Sequence, residues 1–500
     1  MAEKFDQLKA SINEIADIYN AIALLGWDQQ VNMPHGGAED RGNALATLAR
    51  IGHQKLTAPE TGQLIEDAAV ELDSSDPDSD DARLIKVSRR EVNKRAKIPA
   101  RWITENARAT TTAQTVWEEA RAKSDFALFR PHLEKIVALK QEYASFFEPY
   151  DTIYDPLLDD YEPGMKTAEV QAIFNEVRPR QVELIKAIVD RPVIDDAFLH
   201  IPYDEKSQWD FGVEVISAFG FDWNRGRQDK SVHPFTQSFG IGDVRITTRF
   251  DPERAASALF STLHECGHGM YEQGVSQNLR RTPLASGASM ALHESQSRLW
   301  ENLVGRSLPF WKYFYPRLQA KFPYQLGNVD LMSFYQGINK VEPSLVRVEA
   351  DEATYNLHIM LRMELEIALL EGSLHVKDLP EAWNEHMRAY LGITPPNDGL
   401  GVLQDVHWSS GMIGYFPTYA LGNLISAQLW DVMSMDIPNL AEQFEQGEYL
   451  PLLTWMREKV HRHGAKFEPE ELVQKVTGSR IDAKPYLHYL VTKYSEIYNL

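Results

Sequence analysis

Residues 243–273 read DVRITTRFDPERAASALFSTLHECGHGMYEQ, and this stretch combines the pattern of one β-strand with that of one long α-helix. Over residues 243–250, β-branched or apolar residues alternate with polar ones, which is typical of a strand with one buried face. The triplet Asp251-Pro252-Glu253 then suits the N-cap, the first position and the positively polarised end of a helix. We therefore predict a half-buried strand, followed by a helix that begins at this triplet and ends near Tyr271.

Outside this stretch, most of the chain has helical patterns. Apolar residues recur three and four positions apart among Ala, Leu, Glu, Lys and Gln, whereas alternating runs are scarce. Pro99 interrupts one such pattern and predicts two helices that meet there. No fixed-period repeat and no Pro-rich or Gly/Ser-rich linker divides the chain. The sequence thus predicts a mainly α fold with a small β-sheet beside the helix described above, in one domain over residues 1–500.

Composition and charge narrow the function classes. The chain has 500 residues, 43% of them hydrophobic and 25% charged, which is ordinary for a folded protein with a large core. Its 51 basic and 72 acidic residues give a net charge of −21, so most of the surface should repel nucleic acid. A basic run between Lys86 and Lys97, near Trp102, is interpreted as a charged helix face. We expect no nucleic-acid partner.

The number of cysteines and the hydropathy of the sequence indicate the cellular compartment of the protein. Cys266 is the single cysteine of the chain, so no intramolecular disulfide can form. The N-terminus lacks the pattern of a signal peptide, and no apolar stretch approaches the ~20 residues that a membrane-spanning helix needs. We therefore expect a cytoplasmic protein without a membrane partner.

The predicted helix carries the pentapeptide His264-Glu265-Cys266-Gly267-His268. Its two histidines lie one turn apart on one face, so both imidazoles can reach one metal ion. Glu265 lies beside the first histidine, where a carboxylate can accept a proton from a metal-activated water. Cys266 projects away from the metal and is expected in the core. A catalytic zinc takes three protein ligands, and the nearest downstream candidate for the third is Glu294.

The motifs along the chain resemble those of the M32 metallocarboxypeptidases, also called the carboxypeptidase Taq family. The matching motifs are HPF at residues 233–235, DVRIT at 243–247, HECGH at 264–268, HESQ at 293–296, VRVEAD at 346–351 and GVLQDVHW at 401–408. Val346 replaces an isoleucine of the family pattern, which is an exchange between apolar residues. The resemblance covers nearly the whole chain.

This resemblance implies a large helical peptidase with a long central cleft. The single domain predicted above allows two lobes that flank this cleft. It also implies one divalent metal ion per chain, zinc or cobalt, and a homodimer. The implied substrates are peptides, from which the enzyme releases C-terminal residues other than proline with broad specificity.

A carboxypeptidase must recognise the free α-carboxylate of its substrate, and a guanidinium matches both carboxylate oxygens. Arg347 is our candidate because a family motif surrounds it. Its structural alternative is an ion pair with Asp351, four residues further on. Arg245 is the second candidate, since the polar face of its strand can point into the cleft.

Peptide hydrolysis also needs a hydrogen-bond donor for the oxyanion that develops on the substrate. Tyr415, Tyr419 and His407 are the candidates. Related helical zinc peptidases place a tyrosine pair at a similar distance after the metal motif, and this resemblance favours Tyr419. Tyr415 is then assigned to substrate binding. His407 is expected to contact the oxyanion or the substrate carboxylate, and packing on Trp408 is its structural alternative.

We therefore expect a metal-dependent carboxypeptidase in which Glu265 is the general base. His233 and His293 are candidates for orienting the metal ligands. One alternative is an endo-acting zinc oligopeptidase, which would share the metal site but need no carboxylate anchor. The other is a helical binding protein that retains a relic of a metal site.

Overall fold

The computed structural model describes residues 3–72, 76–252 and 254–500, and helices dominate them. The α-helices are α1 (Glu3–Val31), α2 (Ala38–Leu56), α3 (Pro59–Glu71), α4 (Asp80–Ala96), α5 (Ala100–Lys123), α6 (Phe126–Ser145), α7 (Asp155–Leu158), α8 (Thr167–Val189), α9 (Glu205–Phe219), α10 (Ala255–Gly274), α11 (Met290–Arg298), α12 (Leu308–Lys321), α13 (Pro323–Leu326), α14 (Leu331–Ile338), α15 (Tyr355–Glu371), α16 (Leu379–Leu391), α17 (Pro417–Asp436), α18 (Leu440–Glu445), α19 (Leu450–Lys459), α20 (Pro469–Thr477) and α21 (Lys484–Tyr498). The predicted mainly α fold class is confirmed.

The predicted strand belongs to a small sheet of three strands, β1 (Gly226–Lys230), β2 (Thr236–Ser238) and β3 (Val244–Thr248). Their order is β1-β3-β2, with β1 parallel and β2 antiparallel to β3. Val244, Ile246 and Thr248 are buried, as the alternating pattern predicts. Thr247, on the other face, is also buried, and its hydroxyl forms hydrogen bonds with the Ser231 hydroxyl and the Phe235 carbonyl.

Helix α10 begins at Ala255, three residues later than predicted, and ends at Gly274. The predicted N-cap at Asp251 is therefore wrong. The Arg254 N–H donates to the Asp251 carbonyl at 3.1 Å, and the Pro252 carbonyl accepts the Tyr203 N–H at 3.2 Å, so these residues form a separate turn. Glu253 lies outside the described residues.

Two glycines allow helices α10, α11 and α17 to pack closely around the candidate metal ligands. A Cβ atom on Gly267 would lie 2.6 Å from the Gln296 carbonyl oxygen in α11. A Cβ atom on Gly422, in α17, would lie 2.6 Å from the Glu294 Cβ atom. Both distances are shorter than real contacts, so only glycine permits these helices to approach as they do.

Gly267→Ala is expected to destabilise the fold by about 1–3 kcal/mol, because its clash involves backbone atoms that no side-chain rotation can relieve. Gly62→Ala, within α3, is the matched control, since its Cβ atom would have no neighbour within 4 Å. This control should gain about 0.5–1 kcal/mol from the lower backbone entropy of the unfolded chain. Urea unfolding of the metal-free variants measures both effects. Equal stability of the two variants would contradict the packing argument.

Among the described residues, the buried apolar side chains form two separate clusters. One belongs to α5 and the elements that follow it, and the other belongs mainly to α1–α4. The second cluster also includes four residues between Ile241 and Leu284, so the N-terminal helices rest on that segment. The ion pairs Arg83–Glu471 and Asp17–Arg281 add polar contacts across the junction. We infer that the clusters are the cores of two lobes of one domain.

The basic run lies on α4 except for Lys97, which follows its last residue, Ala96. Helix α5 begins at Ala100, so the predicted break at Pro99 is confirmed. Lys94 in this run pairs with Asp159 at 2.6 Å. Trp102 is buried and donates its indole N–H to the Leu139 carbonyl at 2.9 Å. Across the described parts of the chain, no helix has the length and apolar character that crossing a membrane requires.

Candidate metal centre and active-site cleft

A cavity of about 730 Å³ lies between the two clusters of helices. Its lining comes from α1, α2 and α4, from β2, α10 and α11, and from the segments 281–286 and 415–419. His264, Glu265, His268 and Glu294 all line this cavity, so the predicted ligands and the predicted base share one wall.

The three predicted ligands have the geometry of a metal site. The Nε2 atoms of His264 and His268 each lie 3.5 Å from Glu294 Oε2, and the candidate ligand atoms all lie within 4.8 Å of one another. Zinc bonds of about 2.1 Å at tetrahedral angles place ligand atoms about 3.4 Å apart. The residues therefore fit a divalent ion, and all three line the cavity.

Arg298, at the end of the helix that carries Glu294, and Glu301, in the segment directly after it, support this site and were not predicted. Arg298 donates to Glu294 Oε1 at 2.7 Å and to Glu301 Oε2 at 3.2 Å. Glu301 Oε2 also lies 2.9 Å from His264 Nδ1. Burial opposes the charged form of Glu294, yet the Arg298 guanidinium and the two imidazoles hold its pKa well below the usual range. Glu294 is thus kept as a carboxylate, the form that binds metal.

His268 is supported by a different set of groups. Its Nδ1 atom lies 3.0 Å from His293 Nδ1, and His293 Nε2 lies 2.7 Å from Glu272 Oε1. The structure thus places His293 beside a ligand, as expected for an orienting group, and adds Glu272. His233 is exposed and does not line the cavity.

Glu265 is held by the edge strand of the sheet. The Thr236 hydroxyl lies 2.7 Å from Glu265 Oε2 and 2.9 Å from the Glu265 carbonyl oxygen. The Glu265 side chain is buried, and this burial raises its pKa above the usual value. A raised pKa makes the carboxylate a better proton acceptor. Cys266 lies fully buried in the main apolar cluster, on the side away from the cavity.

Tyr415 and Tyr419 line the cavity, whereas His407 lies behind them. The two tyrosine rings are 5.1 Å apart. Burial raises the pKa of Tyr419, so its hydroxyl stays protonated and can donate. His407 Nε2 lies 3.2 Å from the Tyr419 hydroxyl, and burial together with the Arg347 charge lowers the pKa of His407 to about 3. The neutral imidazole therefore contacts Tyr419 rather than the cavity.

Arg347 is buried behind Tyr419 and outside the cavity wall. Its guanidinium carbon lies 5.0 Å from the Tyr419 ring centre. Its partner is Asp405, at 2.8 Å, and not Asp351, which the structural alternative named. Arg362 bonds to the same Asp405 carboxylate, so two guanidiniums share one partner.

Arg245 lies on β3, the central strand of the sheet, and does not line the cavity. Its guanidinium makes two hydrogen bonds to Asp243, at 2.9 and 2.8 Å. The guanidinium carbon lies 4.4 Å from the Trp27 ring centre and 4.9 Å from the Phe239 ring centre. This arginine is thus stacked between two aromatic rings that connect α1 to the sheet.

Proteins of known family are similar to this chain over nearly its whole length. The family model for the carboxypeptidase Taq (M32) metallopeptidases matches residues 7–494. Thermostable carboxypeptidase 1 of Thermus thermophilus is 43% identical over 499 residues, covering 97% of both chains. Carboxypeptidase 1 of Bacillus subtilis is 37% identical over 501 residues, covering 100% of this chain and 98% of its own. The crystal structure of an M32 carboxypeptidase from Deinococcus radiodurans R1 superposes with a TM-score of 0.97, at 40% identity and with full coverage of both chains.

Proposed function

Because the chain belongs to the carboxypeptidase Taq (M32) family and is a metallocarboxypeptidase, we propose that it releases C-terminal residues through metal-activated water, with Glu265 as the general base. The observation that carries this mechanism is the shared cavity wall of His264, His268, Glu294 and Glu265. This arrangement brings together the ligands for a metal ion, a proton acceptor and space for a substrate.

His264, His268 and Glu294 would hold a divalent ion, which would supply a Lewis acid for the scissile carbonyl and would lower the pKa of a water molecule. Glu265 accepts a proton from the attacking water and transfers it to the leaving amine nitrogen. Thr236 occupies Glu265 Oε2, so we assign Oε1 to the water. The Tyr419 hydroxyl donates to the developing oxyanion, and His407 orients that hydroxyl.

Strand β2 can bind the substrate backbone. It is an edge strand, and residues from Pro234 to Ser238 line the cavity. An extended peptide can add to such an edge as a further strand, held by main-chain hydrogen bonds that read no side chain. Backbone recognition of this kind fits broad specificity. It also disfavours proline, which lacks the N–H donor.

Arg347 is the anchor we favour for the substrate carboxylate, and Arg245 is the alternative. Arg347 shares Asp405 with Arg362, so neither guanidinium has a carboxylate of its own. The pair therefore carries one net positive charge behind Tyr419, which attracts a carboxylate on the cavity side of that ring. Arg245 has both oxygens of Asp243 to itself.

Arg347→Ala is expected to lower kcat/KM for peptides with a free C-terminus about 10- to 150-fold, the value of a hydrogen bond to a charged group. Peptides with an amidated C-terminus, which we expect the wild type to cleave poorly, should be unaffected. Arg245→Ala is the matched control and should reduce both peptide classes equally. If Arg245→Ala alone abolishes the preference for the free acid, Arg245 is the anchor. If Arg347→Ala affects both classes equally, its role is not carboxylate recognition.

Three assignments remain predictions. Zinc as the metal, with cobalt as the alternative, and a homodimer rest on the family resemblance, and a cytoplasmic location rests on the composition of the sequence. Metal analysis of the purified protein checks the first prediction. Analytical ultracentrifugation checks the second.

A further inference from the structure

The two candidate histidine ligands are both engaged at the ring nitrogen that faces away from the metal site. The ligand atom is Nε2 in each case, since both Nε2 atoms face Glu294 Oε2 at 3.5 Å. A neutral imidazole that binds metal through Nε2 carries its proton on Nδ1. Metal binding therefore makes Nδ1 a donor in both His264 and His268.

This requirement determines the direction of every hydrogen bond that follows. His264 Nδ1–H donates directly to Glu301 Oε2, at 2.9 Å. His268 Nδ1–H donates to His293 Nδ1, at 3.0 Å, so His293 must accept there and carry its own proton on Nε2. His293 Nε2–H then donates to Glu272 Oε1, at 2.7 Å. Each ligand histidine is thus connected by hydrogen bonds to a carboxylate. His264 is connected directly to Glu301, and His268 is connected to Glu272 through His293.

Glu272 is built into this position. It is 3% exposed, and its Oε1 atom also accepts the Ser286 hydroxyl at 3.1 Å and the Gly287 N–H at 3.2 Å. A Cβ atom on Gly287 would lie 2.5 Å from His293 Cδ2, so this loop packs directly on the imidazole ring. The loop therefore fixes both the carboxylate and the ring that it holds.

Glu301 is fixed by a different local feature. Helix α11 continues into a π-helical segment, Leu299–Val304, which includes Glu301. Such segments are uncommon and often accompany functional sites. Within the segment, the half-buried Glu301 lies between Arg298 and His264, and its Oε1 atom lies 3.9 Å from Arg306.

We propose that Glu272 and Glu301 are positioning residues of the metal centre, which hold the ligand imidazoles in the Nδ1–H tautomer, Glu301 directly and Glu272 through His293. This inference rests on the metal site of the proposed function. Outer partners of this kind raise the basicity of the ligands, fix the ring orientation and typically change metal affinity 10- to 100-fold.

The test is the zinc affinity of the purified protein, measured by competition with a chelator. Glu301→Gln and Glu272→Gln should each weaken zinc binding by about 10- to 100-fold. In a His293→Phe background, Glu272→Gln should add less than a twofold further loss, because its connection to His268 is already broken. Glu119→Gln, an exposed carboxylate paired with Lys123, is the control and should bind zinc as the wild type does.

The outcomes separate this inference from the proposed function. Wild-type protein that binds no zinc would refute the metal site itself. Wild-type binding with unchanged affinity in both variants would refute only the positioning role. An equal effect of Glu272→Gln with and without His293 would show that Glu272 does not act through that ring.

A spectroscopic measurement on wild-type protein does not depend on whether the variants fold. In zinc-loaded protein with ¹⁵N-labelled histidine, NMR should find His264 and His268 protonated at Nδ1 and His293 protonated at Nε2. A His293 ring protonated at Nδ1 alone would overturn the relay to Glu272.

Discussion

Glu265→Gln is expected to lower kcat about 10²- to 10⁴-fold while the protein keeps its metal, because the amide retains the shape of the side chain but cannot accept the proton. Thr236 can still donate to the amide oxygen as it does to the carboxylate, so the local fold should persist. Steady-state kinetics with a free-acid peptide, together with metal analysis of the same sample, measure both quantities.

Cys266→Ala is the matched control for this variant. It changes the neighbouring residue on the same helix, but its side chain faces the apolar cluster and not the cavity. Turnover should stay near that of the wild type. Near-wild-type turnover in Glu265→Gln would refute the role of Glu265 as general base.

Glu294→Gln is expected to raise the zinc dissociation constant by more than about 100-fold, since losing a ligand costs more than losing an outer partner. Turnover at stoichiometric zinc should then fall to the level of chelated wild-type enzyme. The variant should also lose the stabilisation that zinc gives the folded state. For the wild type this is about 2.7 kcal/mol when zinc exceeds its dissociation constant 100-fold.

Thermal unfolding with and without zinc measures this stabilisation, and Glu119→Gln again provides the control for loss of a carboxylate. Wild type and control should both gain stability with zinc, and Glu294→Gln should not. An equal gain in all three proteins would show that Glu294 is not a ligand.

Local patterns in the sequence were sufficient to predict the strand β3, a helix that carries both histidines, and the third candidate ligand. These features depend on residue spacing within one element. The start of α10 was missed because the Pro252 carbonyl bonds to Tyr203, about fifty residues earlier in the chain. The local sequence around residue 252 does not reveal a contact with such a distant segment.

The supporting carboxylates were missed for the same reason. Glu272 and Glu301 act on the ligands across the interface of α10 and α11, whose closeness depends on Gly267. The spacing of Glu294, Arg298 and Glu301, at intervals of four and three residues, was the available signal.

The predicted alternative partner of Arg347 illustrates the limit of helical spacing. The predicted ion pair with Asp351 required a continuous helix from Arg347 to Asp351, whereas residues 347–349 form a short 3₁₀ turn. Asp351 accepts the backbone N–H groups of Ala353 and Thr354 instead, and Asp405 takes its place beside Arg347.

The central claim is that one metal site, with Glu265, removes residues from the C-terminus of peptides. Mass spectrometry of a model peptide over time, with metal-free protein before and after addition of zinc, tests it most directly. We predict no cleavage without metal and, after zinc is added, stepwise loss of single C-terminal residues. Internal fragments, or cleavage that continues unchanged in the presence of a chelator, would contradict the account.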